Sequence, residues 1–373
     1  MNLVSRRKLI TSLVPAICLS KNTLKAERQI TIGLLLAKSG QYFKSSMMAE
    51  KGINRALTEL NIKNASFKKK ISIVKEEYNG DPISIHQKIN NLLNKNVDII
   101  FSPFGDSSSL STSNILLKKN TPLININLSS SCINSTIQLG PTINQLTYPL
   151  IKTLINTGRR RYLFIGDTGI TSSSIRNLSK NIISNSNSNS LAFEYLNIGY
   201  FENNSEEIYK IAREERFDVI ILARSFGAGN MWLKDAVDRG ITKYSDIALI
   251  DIDDSLTNEI QTYGPNAIYQ ITTYNKHIDP NRKNTLSKFR PLGSLSFIYY
   301  LAILVIHNSY GNMNQMLGKS FYLMDQKLTV NKKGMGVKMP LYLLRTDDKG
   351  THYSGSYGLI TPNLYCKETN SEV

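Results

Sequence analysis

The run Gln29-Ile30-Thr31-Ile32-Gly33-Leu34-Leu35-Leu36, closed by Ser39-Gly40 and followed by a helical pattern from about Ser46 to Leu60, decides the fold class. A short apolar run that ends in a turn and gives way to a 3.6-residue period is a strand passing into a helix. Outward from it the same pairing repeats. Ile71 to Glu76 alternates as a strand. Asp81-Pro82 then opens a helix through Leu93, with Asp81 as cap and Pro82 at the first position, where a missing N–H does no harm. Val97 to Phe101 is a third strand, Gly105 to Ser109 leads into a helix ending near Lys119, and Pro122 to Ile126 is a fourth strand closed by Ser129-Ser130-Ser131. The rhythm restarts with Tyr162 to Ile165 as strand, Ser172 to Ser184 as helix, and a Ser/Asn loop at Ser186 to Ser190. Phe193 to Tyr195 (strand), Ser205 to Glu215 (helix), Asp218 to Leu222 (strand), Asn230 to Arg239 (helix) and Ala248 to Asp251 (strand) complete it. Strands alternating with helices of this length require parallel sheets covered on both faces, with ligands held at the carboxyl ends of the strands. The expectation is an α/β chain of two Rossmann-like lobes with parallel sheets and a cleft between them.

With 373 residues, 41% of them hydrophobic and 20% charged, the chain has ample material for two cores. After residue 28 no run approaches the ~18 apolar residues that cross a bilayer, which excludes an integral membrane protein. Residues 1–26 read as an export signal: Ser5-Arg6-Arg7-Lys8 is a positive start, Leu9 to Leu19 an apolar stretch of secretory length, and Ala26 a small residue before a cleavage point. Ser5 to Ile10 also resembles a twin-arginine signal with Leu9 in place of Phe, so both export routes stay open. Ile17 before Cys18 is too bulky for lipid attachment. The formal charge of +16 sits in a chain crowded with Asn, Lys, Ile and Ser throughout, and reads as a compositional bias spread over the surface. Cys18, Cys132 and Cys366 are too few and too scattered for a disulfide framework.

Enzyme signatures are missing. There is no Gly-x-Ser-x-Gly elbow or His-Glu-x-x-His, and His86, His277, His307 and His352 are isolated from one another. Gly318-Lys319-Ser320 lacks the earlier glycine of a phosphate loop, since Met313 stands there. Gly227-Ala228-Gly229 lacks the third glycine of a dinucleotide fingerprint, which would fall at Trp232. Lys68-Lys69-Lys70 and Arg159-Arg160-Arg161 carry no interleaved aromatics for stacking bases. Neither a cofactor nor a nucleic-acid partner is expected.

Residues 30–130 carry Ile32-Gly33-Leu34, Ser39-Gly40-Gln41-Tyr42, Gly52 in a helix body, Asn79-Gly80-Asp81-Pro82, Val97-Asp98-Ile99-Ile100 and Pro122-Leu123-Ile124 in that order. This text resembles the first lobe of the periplasmic substrate-binding proteins that serve branched-chain amino-acid, urea and amide ABC transporters. Phe217-Asp218-Val219-Ile220 and Asp235-Ala236 to Gly240 extend the likeness through the second lobe, and Leu301-Ala302-Ile303 and Gly334 to Thr346 resemble the family's closing helix and hairpin. One departure is the loop Gly166-Asp167-Thr168-Gly169-Ile170, which lacks the family's Tyr-Gly and hence one ligand-stacking ring. Gln326 to Thr329 with Met339 to Leu341 is similar to solute-binding proteins linked to quinone-dependent alcohol oxidation, an alternative accessory or sensor role; an α/β enzyme is the more distant alternative.

The resemblance implies the type I periplasmic binding fold: an exported, non-enzymatic and monomeric receptor, joined by a three-strand hinge. Its lobes would be residues 28–145 with 278–332 and residues 146–277 with 333–373, and the chain would cross near Gln145, His277 and Gly334. It would capture a small polar ligand, amino-acid-like or amide-like, and present it to a membrane ABC permease. Ser107 and Ser108 stand at a helix start, where free N–H groups would receive a carboxylate or simply be capped. Ser129, Ser130 and Ser131 match the family's small-residue ligand loop, or form a plain turn. Tyr42, Phe226 and Tyr274 would cover an aliphatic or planar ligand, or serve the core. Asp251, after the last strand of the second lobe, would suit an ammonium group, whereas Arg224 at another strand end would suit an anion. The sequence leaves both open.

Overall fold

Strand β1 (Ile30–Ala37) has both faces buried, and this is why its sequence reads as a continuous apolar run. Ile32, Leu34 and Leu36 pack with Ala49, Ile53 and Ala56 of α1 (Phe43–Lys63). Leu35 and Ala37 pack on the other face with Ile85, Ile89 and Leu92 of α2 (Pro82–Asn94). Around β1 lie β2 (Ile71–Tyr78), β3 (Ile99–Phe101), β4 (Leu123–Asn125) and β5 (Thr136–Gln138), all parallel, in the order β2-β1-β3-β4-β5. Helix α3 (Asp106–Leu117) connects β3 to β4. This computed structural model describes residues 29–40, 42–63, 71–79, 82–117, 119–129, 136–186, 191–198, 205–224, 226–251, 260, 262–274, 293–309, 311–323, 326–331 and 336–363. The export signal, the Asp81 cap, Ser130, Ser131, His277 and Gly334 lie outside them, as do the side chains of Ser107 and Phe226.

The second sheet repeats the plan with a different edge. Parallel strands β6 (Arg161–Gly166), β7 (Ala192–Asn197), β8 (Val219–Ala223), β9 (Asp246–Leu249) and β10 (Ile268–Thr272) run in the order β7-β6-β8-β9-β10. Helices α4 (Ile143–Asn156) and α5 (Ile170–Ser184) supply Leu150, Leu154, Ile175 and Ile182 to the face bearing Tyr162 and Phe164. On the opposite face α6 (Ser205–Glu215) and α7 (Phe226–Asp238) supply Ile208, Trp232 and Leu233 against Leu163, Ile165 and Leu222. Beyond β10 the sheet turns antiparallel. A hairpin of β11 (Ser320–Leu323) and β12 (Gln326–Val330) joins the start of β13 (Val337–Asp347), which pairs with β10 and with β14 (Gly350–Ile360).

Three findings go beyond the sequence expectation. Helix α4, with Pro149 inside it, and strands β5 and β10 were not expected. Because β10 pairs parallel with β9, Asp251 does not follow the last parallel strand, and because β13 and β14 run antiparallel the second sheet is mixed. Helix α7 begins at Phe226 rather than Asn230, so Gly227-Ala228-Gly229 forms its first turn.

Helix α8 (Ser294–Asn308) lies against α1. The approach is close enough that a Cβ on Gly52 would stand 2.1 Å from the Ser296 carbonyl oxygen, so a residue with a side chain does not fit there. The chain passes from the first sheet to the second between β5 and β6, α8 returns to pack on α1, and β11 to β14 again lie in the second sheet. Gln145, fully buried, ties the start of α4 to β13 and β14. Its Nε2 donates to the Val337 carbonyl at 3.0 Å and the Ile360 carbonyl at 2.9 Å, and its Oε1 accepts from the Thr142 N–H at 2.9 Å. Where the chain returns from β10 to α8, the hydroxyls of Thr272 and Ser294 bond to each other.

Candidate functional site

The two sheets meet through helices that follow their parallel strands. Helix α3 of the first touches α5 of the second, and α1 touches α7. These helices follow β3, β6, β1 and β8, and the carboxyl ends of parallel strands are the place where α/β sheets hold ligands.

On the first-sheet side the Tyr42 ring stacks on Phe104 at 5.8 Å and 16°. Gly105 has φ +90°, and a Cβ there would stand 2.9 Å from the Tyr42 hydroxyl oxygen, so glycine is needed both for the turn and for the ring. Ser107 and Ser108 lie in the first turn of α3. The Ser109 N–H is already bonded to the Gly105 carbonyl, so the helix-end N–H groups before it are those open to a ligand anion. The Ser108 carbonyl accepts from the Thr112 hydroxyl at 2.7 Å. Ser129 is buried, and its carbonyl accepts from the N–H of Ile143 at the start of α4. Beneath these loops run Ser102, Ser109, Asn125, Asn127 and Gln138, a buried polar group that sequence reasoning missed.

On the second-sheet side the loop that lacks the Tyr-Gly pair is shaped by buried Asp167, whose Oδ1 accepts from the Gly169 N–H at 2.9 Å before α5 begins. This is an Asx turn. Arg224 follows β8 directly and is only 2% exposed. Phe226 opens α7. Asp251, half-buried, holds φ +66°, a left-handed conformation that a non-glycine residue keeps only where its surroundings impose it. Tyr274 stands apart from these three. Its ring stacks on Phe297 of α8 at 5.1 Å and 15°, and its carbonyl accepts from the Thr272 hydroxyl. It is thus gathered to the second crossing, near Arg55 and Glu59 of α1. There the Tyr300 hydroxyl donates to Glu59 Oε2, and burial lowers the Arg55 pKa against the opposing pull of Tyr300, Glu59 and Tyr274.

Among the described residues no three His, Cys, Asp or Glu side chains gather as metal ligands would, and no helix is long and apolar enough to cross a membrane. The arrangement offers helix-end N–H groups, hydroxyls and stacked rings on one side and charged strand-end residues on the other. These groups suit holding a small polar molecule.

Solved structures share this architecture. A solute-binding protein of an ABC transporter from Rhodopseudomonas palustris BisB5, in complex with 3,4-dihydroxybenzoic acid, superposes with a TM-score of 0.75 at 14% identity, over 89% of this chain and 97% of that one. An amino acid ABC transporter substrate-binding protein from Pseudomonas fluorescens Pf-5 gives 0.73 at 14% identity over 90% and 97%. A branched-chain amino acid transporter substrate-binding protein from Streptococcus pneumoniae, in complex with isoleucine, gives 0.72 at 13% identity over 88% and 100%. No curated protein matches the chain significantly. The family model described as periplasmic binding protein matches residues 29–289, spanning the whole first sheet, the parallel strands of the second and both sides of the gap, and the chain belongs to that family.

Proposed function

We propose that the protein is an exported solute receptor that closes over a small polar ligand, amino-acid-like or amide-like, and delivers it to an ABC permease. The lobes are residues 28–145 with 278–332 and residues 146–277 with 333–373, and the receptor works as a monomer in the periplasm. The observation that carries this reading is the meeting of α3 with α5 and α1 with α7 across opposed strand ends. Such a gap can hold a ligand from two sides at once, so that binding favours the closed form over the open one.

In this reading Ser107, Ser108, Ser129, Ser130 and Ser131 hold one end of the ligand from the first lobe, with Tyr42 beside them. Arg224, Phe226 and Asp251 meet it from the second lobe, and Tyr274 meets it at the crossing. Titration calorimetry with leucine, isoleucine, acetamide and 4-hydroxybenzoate, joined to solution scattering, tests it. A compound that binds should shrink the radius of gyration without altering the circular dichroism, since closure moves rigid bodies about a few linker residues. Identical scattering with and without a bound compound would refute the clamp. Arg224→Gln and Asp251→Asn then decide which end of the ligand is charged: the first weakens an anion, the second an ammonium.

A further inference from the structure

The polar group beneath the first-lobe loops is a connected chain. Asn125 Nδ2 donates to Gln138 Oε1 at 2.7 Å, and the Ser102 hydroxyl donates to Asn125 Oδ1 at 2.8 Å. Gln138 Nε2 in turn donates to the Asn127 carbonyl at 2.7 Å. Asn127 closes the chain from the other side. Its N–H donates to Asn125 Oδ1 at 3.2 Å, while its Nδ2 donates to the Pro103 carbonyl at 2.7 Å and the Ser109 hydroxyl at 2.9 Å. The Ser109 hydroxyl passes the link on to the Gly105 carbonyl at 3.0 Å. All five side chains are buried, so these bonds lie in a medium of low dielectric where they are strong and where breaking one leaves a costly orphan.

Asn127 is the member that ties two separate loops together. One is the 103–109 turn that leads into α3, and the other is the 127–129 segment that ends at Ser129. Among the described residues its Oδ1 is buried with no hydrogen-bond partner, although a buried polar atom in that condition is unfavourable. An amide kept there at that cost is kept for its donating arm.

We propose that Asn127 is a positioning residue for ligand capture: its carboxamide sets the spacing between the first turn of α3 and the Ser129 segment, so that the two move as one half-site. The inference rests on the reading of this gap as the ligand site. It adds that the first lobe presents a preformed surface, whose geometry is fixed before the second lobe closes.

Asn127→Asp is the sharp substitution, because it keeps the shape and puts an acceptor oxygen against the Pro103 carbonyl. Every side chain bonded to Asn127 is uncharged, so a carboxylate there has no cation to settle it and its protonated form is favoured. Amide hydrogen exchange on the ligand-free protein should rise about tenfold or more in residues 103–112 and 126–129 together, with the strands β6 and β8 unchanged. Where the parent binds a compound of the calorimetric panel, affinity should fall about 10- to 100-fold and recover as pH is lowered and the acid regains a donor. Asn127→Ser, smaller and neutral, should raise exchange in the same two segments without the pH recovery, and it serves if the Asp variant does not fold. Exchange that rises in one segment alone, or evenly across the protein, overturns the proposal, as does unchanged affinity beside raised exchange. If the parent binds no compound of the panel, the receptor reading fails at that point and the exchange pattern still decides the role of Asn127.

Discussion

Replacing Gln145 by Leu tests whether one amide holds the start of α4 to β13 and β14. The side chain is 0% exposed and makes three bonds to backbone groups: donations to the carbonyls of Val337 and Ile360 and acceptance from the Thr142 N–H. Leu keeps the bulk and makes none of them. A buried polar group left unpaired costs about 1–3 kcal/mol. The carbonyls retain a second lone pair and the N–H is at a helix end, so about 1 kcal/mol apiece is the fitting value. The apolar gain from Leu offsets part of the sum, leaving a net loss of about 2 kcal/mol. Urea unfolding followed by the single tryptophan, Trp232, buried in the second lobe, reads this directly. At a slope of about 3 kcal/mol per molar urea the midpoint should fall by roughly 0.7 M. A fall below about 0.2 M would show that the three backbone groups find other partners, and the idea of Gln145 as the clasp between α4 and the last two strands would be wrong.

Three further outcomes are expected. Glu76 is nearly buried beside Lys95 at 2.6 Å and Lys88 at 3.2 Å, and its hydrogen bond to Lys95, above all, holds its pKa below the ordinary carboxylate value. Its ionised form therefore stabilises the fold at neutral pH, and that contribution is lost as pH falls through the depressed folded value. Glu76→Gln should thus lower the urea midpoint at pH 7 and narrow the gap between pH 7 and pH 3; an unchanged gap would contradict it. Gly52→Ala forces α1 and α8 apart and should cost about 1–3 kcal/mol, seen as a lower melting temperature, whereas an unaltered melt would deny the close approach. N-terminal sequencing of the periplasmic protein should begin near Glu27, and replacing Arg6 and Arg7 by Lys should block export only if the twin-arginine route is used; an intact Met1 on cytoplasmic protein would defeat the export reading.

Strands β1 to β4 of the first sheet and their helices were legible because each carries its own signal, whereas β5 was not. Ile30–Ala37 is buried on both faces and so is apolar throughout, and Ser205–Glu215 has a clean amphipathic period that fixed both ends of α6. What escaped had its signal cancelled by context. Pro149 reads as a breaker, yet it sits inside α4. Helix α8 is buried nearly all round between α1 and the rest of the core, so only its Leu301-Ala302-Ile303 segment drew attention and no polar face marked its period. Strand-end residues such as Arg224 and Asp251 could be named as candidates because parallel sheets hold ligands at the carboxyl ends of their strands. Asn125, Asn127 and Gln138 could not, because in a chain crowded with Asn a buried amide looks like any turn residue until its partners are known. The stacking of Tyr274 on Phe297 depends on a helix twenty residues further on, which no local pattern around Tyr274 announces.

The crossings also set a timetable. Gln145 bonds to Ile360 across 215 positions, the Thr153 and Tyr357 hydroxyls meet across 204, and the Asn363 N–H reaches Asn144 across 219. Until residues 337–363 have been made, β10 is an open sheet edge, and until 294–308 have been made, the face of α1 that receives α8 is bare. Contacts this distant return no stabilisation until a long loop has been closed, so folding is slow and waits for the last strands to be made. Neither lobe can be sealed by the portion synthesised first. A chain arrested partway would expose strand edge and apolar helix together, the surfaces that draw aggregation and chaperones, and the finished fold forms only when β13 pairs with β10 and carries β14 on its other edge.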